Sequence, residues 1–586
     1  MVADAAARAA VAAWRRALPG AAAAEVVATF ACAAGAPAAA VEAFTDAVGV
    51  ASVRSGGPSP QPPEGIDPPA FLGVLFEATL PRPSRRRTGT FYTPPALART
   101  VVNAALRTAP SAVCICDPTV GGGAFLLAAA DALVAAGRAP ADVAGNLWGA
   151  DVDATAVAVA RLALRWWAAR HGVEDDPAER IVVADALATR PPWTAAPDGF
   201  DLVVGNPPFL SQLRGGAVRD ADRRATLVER FGPPAGGYVD DAALFLLAAL
   251  ELAGPAGRVA LVQPESVLTA AHAGPVRARI DGRADLVEVW DPGPGWFDAS
   301  VRVCVVELAA RPAVDGVDGH PPGDAGTVSW GRRLAAARGV PAVDVTRWRT
   351  QGRLAAVARV VSGFRDQYYG LIPAVTDDDR PGLPRLVTTG GIGLLRCDRA
   401  RRPVRFARRT WTAPVVDVGV LDTTAPAVAS WVRTLLVPKV IVAPQGRMLL
   451  CAVDPDGSVV PSVPTTSVVA LDDAPEPVTP WHLAAVLLAP PVTALVAAEH
   501  TGSGLARDTL RVPARALREL PLPADRRSWD VTADRLRALA RLDDPVGRAD
   551  GLVALGPDLC GMYGVDPTDL VGWWAARIGA TVRPLT

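Results

Sequence analysis

The chain has 586 residues, half of them hydrophobic, and a formal net charge of −1. That length accommodates roughly two to four domains, the apolar share excludes a disordered chain, and the charge balance excludes a globally basic nucleic-acid binder. Seven scattered cysteines without a CxxC pair exclude a disulfide framework and a zinc site, and predict a reducing cytoplasm.

The basic side chains are almost all arginine, and Lys439 is the only lysine. The alanine-rich start is interrupted by Asp4, Arg8, Arg15, Arg16 and Glu25 and lacks the order of a signal peptide. No uncharged apolar run approaches the roughly 18 residues of a membrane span, so no membrane association is expected. The five histidines have no metal-ligand spacing, and no metal is expected.

Residues 1–84 carry helical patterns and then a Pro/Gly/Ser stretch from Ser55 to Pro69. They predict a helical cap and a loop without recognisable chemistry. No paired acids with a nearby lysine suggest a nuclease. Phe91-Tyr92-Thr93-Pro94 then precedes helical spacing from Ala96 to Val102, with Thr93 as N-cap and Pro94 as the first helical residue. A helix N-terminus with a hydroxyl suits a carboxylate, although an ordinary capped helix reads the same way.

Ala112 to Cys116 reads as a buried strand, followed by Asp117-Pro118-Thr119-Val120-Gly121-Gly122-Gly123-Ala124-Phe125 and a helix from Leu126 to Ala136. Strand, glycine loop and helix make the first unit of a nucleotide-binding sheet. The loop lacks the Lys-Ser/Thr end of a phosphate loop and the GxGxxG spacing of a dinucleotide site. An acid ahead of the glycines suits a ligand ammonium. Asn146 to Asp153 predicts a second strand with Asp151 at its end, then a helix to Ala169. The segment from Gly137 to Asp142 between these units reads as a surface loop. Ile181 to Val183 leads to Asp185 and predicts a third strand with an acid at its end.

Phe200 to Gly205 is a further buried strand, stopped by Asn206-Pro207-Pro208-Phe209. An amide oxygen beside a carbonyl oxygen accepts both hydrogens of an exocyclic amine, and a ring stacks on the base that carries it. Taken alone, the tetrapeptide is equally a plain strand-to-loop turn. Three strand-end acids leading into it are hard to explain as core. A helix from Asp240, a strand from Gly257 to Pro264, a short helix from Val276 to Ile280, and strands at Leu286–Trp290 and Val301–Leu308 continue the alternation. The fold class expected is α/β, a doubly wound sheet over 85–312.

Residues 313–330 have linker composition, and 331–528 have an irregular, strand-rich pattern. Arg396, Arg399, Arg401, Arg402, Arg405, Arg408 and Arg409 crowd one stretch, and guanidinium groups suit phosphates and guanine edges. Residues 529–586 read as helical, with Trp573 and Trp574 turned inward.

In this order the segments resemble the γ-class adenine-N6 DNA methyltransferases that carry a C-terminal target-recognition domain. Phe91 to Pro94, Asp117 to Phe125, Asp151, Asp185 and Asn206 to Phe209 carry the resemblance. The glycine segment departs from the family's Pro-Ala-Cys-Gly-Ser-Gly but keeps the glycines that matter. The resemblance implies an S-adenosylmethionine-dependent methyltransferase sheet with a mixed α+β recognition domain at 331–528, and duplex DNA as partner. A separate nuclease or defence-system subunit beside it is also implied.

By the same resemblance Tyr92 and Thr93 lie near the cofactor carboxylate, and Asp117, Pro118, Gly121, Gly123 and Phe125 form the loop around its methionine part. Asp151 holds the ribose, Val152 packs on the cofactor adenine, and Asp185 binds that adenine's amine. Asn206 and the Pro207 carbonyl accept the target amine, with Pro208 stiffening the turn and Phe209 stacking on the flipped base. Trp296 or Phe297 is a candidate second stacking ring. Lys439, in a recurrent segment of such recognition domains, joins the arginines as a DNA contact. Methylation of RNA or of a protein glutamine through the same pocket, or a catalytically idle DNA-specificity subunit, are the readings that compete.

Overall fold

The computed structural model describes residues 2–18, 20–51, 53, 67–80, 93–194, 196–209, 221–237, 239–293, 296, 302–312, 329–363, 365–377, 382–397, 404–474, 476–504 and 506–582. The chain divides into two compact units, residues 1–334 and 335–586.

The first unit begins with four helices, α1 (Val2–Ala17), α2 (Ala23–Ala33), α3 (Ala38–Val48) and α4 (Pro68–Thr79), followed by α5 (Pro95–Thr108). Then strands and helices alternate. The order is β1 (Ile115–Asp117), α6 (Ala124–Ala135), β2 (Leu147–Asp151), α7 (Ala154–Arg170), β3 (Ile181–Val183), β4 (Phe200–Gly205), α8 (Ala221–Phe231), α9 (Asp241–Leu252), β5 (Ala253–Pro264), β6 (Ala284–Trp290) and β7 (Val303–Ala310).

The seven strands form one sheet in the order β3-β2-β1-β4-β5-β7-β6. β1 to β5 pair in parallel, and β7 runs antiparallel to both of its neighbours. The chain steps outward from β1 to β3, then returns to lay β4 on the other side of β1. The strand order therefore reverses between β1 and β4. A crevice opens outside the carboxyl ends of two such strands.

The central strands are apolar on both faces because both faces are covered. Ile115, Leu202, Val204, Ala260 and Val262 pack with α5, α6 and α7 on one face. Cys116, Val203, Val259 and Leu261 pack with α9 on the other. The N-terminal helices join the first of these cores: the Phe30 ring lies 5.1 Å from Phe71 of α4 and 6.4 Å from Trp166 of α7.

The doubly wound sheet and the helical N-terminal region agree with expectation, while some boundaries differ. Pro94 is the cap of α5 and Pro95 its first residue, so Thr93 stands one position further out than predicted. The expected surface loop between the first two units contains a short helix, Pro140–Ala144, started by its proline. β5 begins at Ala253 rather than Gly257.

In the second unit a four-stranded antiparallel sheet of Ala358–Ser362, Thr466–Ala470, Lys439–Val442 and Cys451–Asp454 packs on the helix Pro480–Leu488. Helices from Arg526 to Val582 close the unit, with Trp529 and Trp574 buried in the same core. No single helix among the described residues is long and apolar enough to cross a membrane. The bent apolar pair Pro480–Leu488 and Pro490–His500 is buried in this core.

Candidate active site

Asp117 ends β1 and is fully buried at 0% exposure. Its Oδ1 accepts the Thr119 N–H at 2.9 Å and the Thr119 hydroxyl at 3.3 Å. Its Oδ2 is buried with no hydrogen-bond partner among the described residues. Burial pushes the carboxyl up to about 7, against the Thr119 N–H, and neighbouring Asp151 adds to the rise. An acid in this state waits for a positive partner.

Gly205, the last residue of β4, gives Asp117 its space. A Cβ on Gly205 would stand 2.7 Å from Asp117 Oδ1. This contact places the carboxylate in the β1/β4 crevice, one residue from Asn206.

The loop after Asp117 turns sharply through two left-handed glycines, Gly121 with φ 48° and Gly123 with φ 89°. The Gly121 N–H donates to Asp151 Oδ2 at 3.0 Å, and Asp151 Oδ1 accepts the Asp153 N–H at 2.9 Å. Burial raises the Asp151 carboxyl, opposed by these two N–H donors. Pro118 is buried in the loop, and Phe125 anchors α6 in the core beneath it. Val152, beside Asp151, is an apolar side chain left 64% exposed at the sheet's edge.

Asp185 lies just beyond β3 and is fully engaged. Its Oδ1 accepts the N–H groups of Leu187 at 3.0 Å and Ala188 at 3.2 Å. Its Oδ2 is ion-paired with Arg223 of α8, which also reaches Asp241 at 3.4 Å. Burial works to lower the Arg223 pKa, and the two carboxylates outweigh it to give a net rise.

Asn206 follows β4. Its Nδ2 donates to Thr93 Oγ1 at 3.0 Å, while its Oδ1 is buried and has no partner among the described residues. Thr93, expected at a cofactor carboxylate, thus also meets the Asn206 amide. Pro207 is buried, and Phe209 packs against the core of the first face, as does Trp296, whose indole N–H donates to Pro292 O at 2.6 Å.

Two features escaped the sequence reading. Gly73 of α4 lies against the glycine loop so closely that a Cβ on Gly122 would stand 2.4 Å from Gly73 Cα. One turn later Glu77, only 8% exposed, holds Oε1 3.4 Å from where a Gly121 Cβ would sit. Gln263, one strand over on β5, is fully buried with neither side-chain end partnered among the described residues.

Of the remaining expected residues, Tyr92, Phe297, Arg399, Arg401 and Arg402 lie outside the described residues. Arg405, Arg408 and Arg409 belong to a hairpin, Val404–Phe406 with Arg409–Trp411, turned by Ala407 and Arg408 at positive φ. All three are exposed, and Arg409 stacks over Trp411 at 4.6 Å. Arg396 pairs with Asp543 at 2.7 Å.

Lys439 corrects the expectation of a DNA contact. It is 0% exposed, inside the second unit's sheet and ion-paired with Asp454, its register partner on the adjacent strand. Burial lowers its pKa, and Asp454 opposes that. An ammonium held in the core reaches no phosphate.

Residues 71–288 match the family model described as N-6 DNA Methylase. No curated protein matches the chain. Among solved structures, the type IIG restriction endonuclease BpuSI is similar at 12% identity, covering 88% of this chain and 68% of its own, with a TM-score of 0.39. The type I restriction–modification methyltransferase subunit from Streptococcus thermophilus matches at 20% identity over 47% of this chain and 58% of its own, with a TM-score of 0.30. The ATP-dependent type ISP restriction–modification enzyme LlaBIII, bound to DNA, matches at 10% identity over 82% of this chain and 41% of its own, with a TM-score of 0.41. At these values the likenesses carry no weight for function.

Proposed function

We propose that this chain, whose residues 71–288 match the family model described as N-6 DNA Methylase, is a site-specific DNA methyltransferase that transfers the methyl group of S-adenosylmethionine to N6 of a flipped-out adenine. The observation that carries this reading is the state of Asn206. Its Nδ2 is fixed by Thr93, and its Oδ1 is buried without a partner among the described residues. A buried acceptor left open costs free energy unless a ligand donor fills it.

The chain's residues fit the cofactor. The unpartnered Asp117 Oδ2 suits an ammonium. The left-handed Gly121 and Gly123 let backbone approach a ligand closely. Asp151 would take ribose hydroxyls, and the exposed Val152 would meet the face of an adenine ring. Asp185 would take that ring's amine by exchanging part of its pairing with Arg223. Bound there, S-adenosylmethionine would supply a methyl group activated by its sulfonium.

Asn206 Oδ1 and the Pro207 carbonyl each accept one N–H of the target amine. The two acceptors would favour a pyramidal amine whose lone pair is localised on nitrogen and directed at the methyl group. As the N–C bond forms and the S–C bond breaks, S-adenosylhomocysteine leaves and one N–H proton passes to solvent. Pro207 and Pro208 keep the turn stiff, so that this geometry exists before substrate arrives. Phe209 stacks on the extruded base, offsetting part of the cost of unstacking it. No residue forms a covalent intermediate; catalysis is positioning and electrostatics.

The second unit would hold the duplex, with Arg405, Arg408 and Arg409 on its exposed hairpin directed to phosphates. The setting, following the γ-class resemblance, is restriction–modification or phage defence, alone or beside a separate nuclease. The test is transfer of a radiolabelled methyl group to duplex DNA, RNA or bulk protein. The reading expects label in DNA, on adenine N6, and none with Asn206→Ala. Label in RNA or protein alone would replace it with one of the competing substrates.

A further inference from the structure

Gln263 stands one residue from the end of β5 and is fully buried. Neither end of its side-chain amide has a hydrogen-bond partner among the described residues. A buried amide left wholly open is costly, and folded chains keep few of them. Its neighbours on the strand, Val259 to Val262, are aliphatic or alanine, so an apolar side chain would avoid that cost.

The sheet register gives the direction of the amide. Gly205 of β4 pairs with Leu261 of β5, and Gln263 pairs with Cys304 of β7. Side chains alternate along a strand, so Gln263 leaves the sheet on the face shared by Leu261, Cys304 and Gly205. On that face the Cβ that Gly205 lacks would stand 2.7 Å from Asp117 Oδ1. Continued by two residues, the same register sets Gln263 level with Pro207, in the turn beyond β4.

Strand order separates Gln263 from the cofactor residues. Asp117 ends β1, Asp151 ends β2 and Asp185 follows β3, all on one side of β4. Gln263 is on β5, the neighbour on the other side, about 4.8 Å away by strand spacing. A ring entering from that side is the one whose amine Asn206 receives. Asn206 and the Pro207 carbonyl read only an exocyclic amine, which cytosine carries as well. Adenine has an acceptor nitrogen on each side of its amine, N1 and N7, and an amide N–H is the donor that suits either.

We propose that Gln263 reads the ring of the target base, its Nε2 donating to a ring nitrogen beside the amine held by Asn206 and Pro207. This rests on the methyltransferase reading and adds to it a residue that selects the ring as well as the amine.

The test is single-turnover methylation by the full chain at saturating cofactor, with wild type, Gln263→Leu and Gln263→Met. Duplexes with the chain's recognition sequence carry adenine, 7-deazaadenine or 1-deazaadenine at the target position, so that N7 or N1 becomes C–H. Both variants should be about tenfold slower on adenine, the scale of one lost hydrogen bond. Wild type should lose about tenfold more than either variant on one of the two analogues, which identifies the nitrogen. The variants should keep wild-type cofactor affinity and melt at a higher temperature, because an open buried amide has been removed. Analogue penalties of equal size in wild type and variants would overturn the proposal. So would wild-type rates on adenine, or cofactor affinity lost in both variants, which would make Gln263 a structural residue of β5. A wild-type chain that methylates no duplex would instead remove the methyltransferase reading itself.

Discussion

The amide of Asn206 and the hydroxyl of Thr93 meet at 3.0 Å, with Asn206 as donor. The bond joins the turn after β4 to the residue just before α5, two segments over one hundred residues apart in sequence. It decides which end of the amide faces the substrate. With Nδ2 committed to Thr93, Oδ1 is the end that remains to accept a donor. An amide turned the other way would present N–H groups to an amine and repel it.

Thr93→Val should therefore act on turnover. The loss of one orienting hydrogen bond of about 1 kcal/mol or slightly more predicts a fall in kcat of about tenfold. Thr93→Ser should retain most of the activity. Single-turnover kinetics with parallel cofactor titration separates this from a purely cofactor-binding role, which would weaken cofactor affinity and leave the saturated rate intact.

Asp117 predicts a pH dependence with a definite sign. Its carboxyl is pushed up to about 7 by burial. The folded chain then keeps a proton that the unfolded chain releases in the ordinary carboxylate range. This group's contribution to stability is present below that range and is lost as pH rises through about 7. Asp117→Asn should raise the thermal midpoint of the free protein at pH 8 and leave it unchanged at pH 4 (pH values about those limits). The same substitution should abolish cofactor binding. In the wild type, cofactor affinity should fall with decreasing pH below about 7, with proton release on binding measurable by calorimetry in buffers of different ionisation enthalpy.

Lys439 is the chain's only lysine and is buried against Asp454. Its ε-amine should escape an amine-reactive reagent in the folded protein and react fully after denaturation, as read by peptide mass spectrometry. Lys439→Met should destabilise the second unit by about 3–5 kcal/mol, because it leaves a buried carboxylate without its cation. Labelling of the native chain at this position would contradict the burial.

The hairpin arginines should behave as phosphate contacts. Replacing Arg405, Arg408 and Arg409 together with alanine should weaken duplex binding across all sequences. It should also reduce the slope of log affinity against log salt by up to about three. A changed recognition sequence with an unchanged slope would mean base contacts instead.

How much of this was legible in the sequence follows from what each signal depends on. The β4 turn was visible because prolines end a strand wherever it packs, and the strand-end acids because a polar residue closing an apolar run needs no partner to be noticed. Lys439 was misread because its segment, Lys439–Val442, is buried throughout. Such a strand demands a buried counter-charge for its lysine, but Asp454 becomes that counter-charge only through a strand register. Gly73 and Glu77 were missed because an apolar helix with one glycine looks like core. The available clue was the glycine four residues before a glutamate on one face, and its meaning depended on Gly122 across the interface. The Thr93–Asn206 bond is likewise a product of tertiary folding, which local pattern cannot supply.

The central claim is that Asn206 presents an open acceptor to adenine N6 in DNA. Its most direct test is single-molecule sequencing of genomic DNA from a methylation-free host expressing this chain, beside the Asn206→Ala variant. The account predicts N6-methyladenine at one recurrent sequence with the wild type and none with the variant. Unmodified adenine in DNA from cells containing folded, cofactor-binding wild-type protein would contradict it.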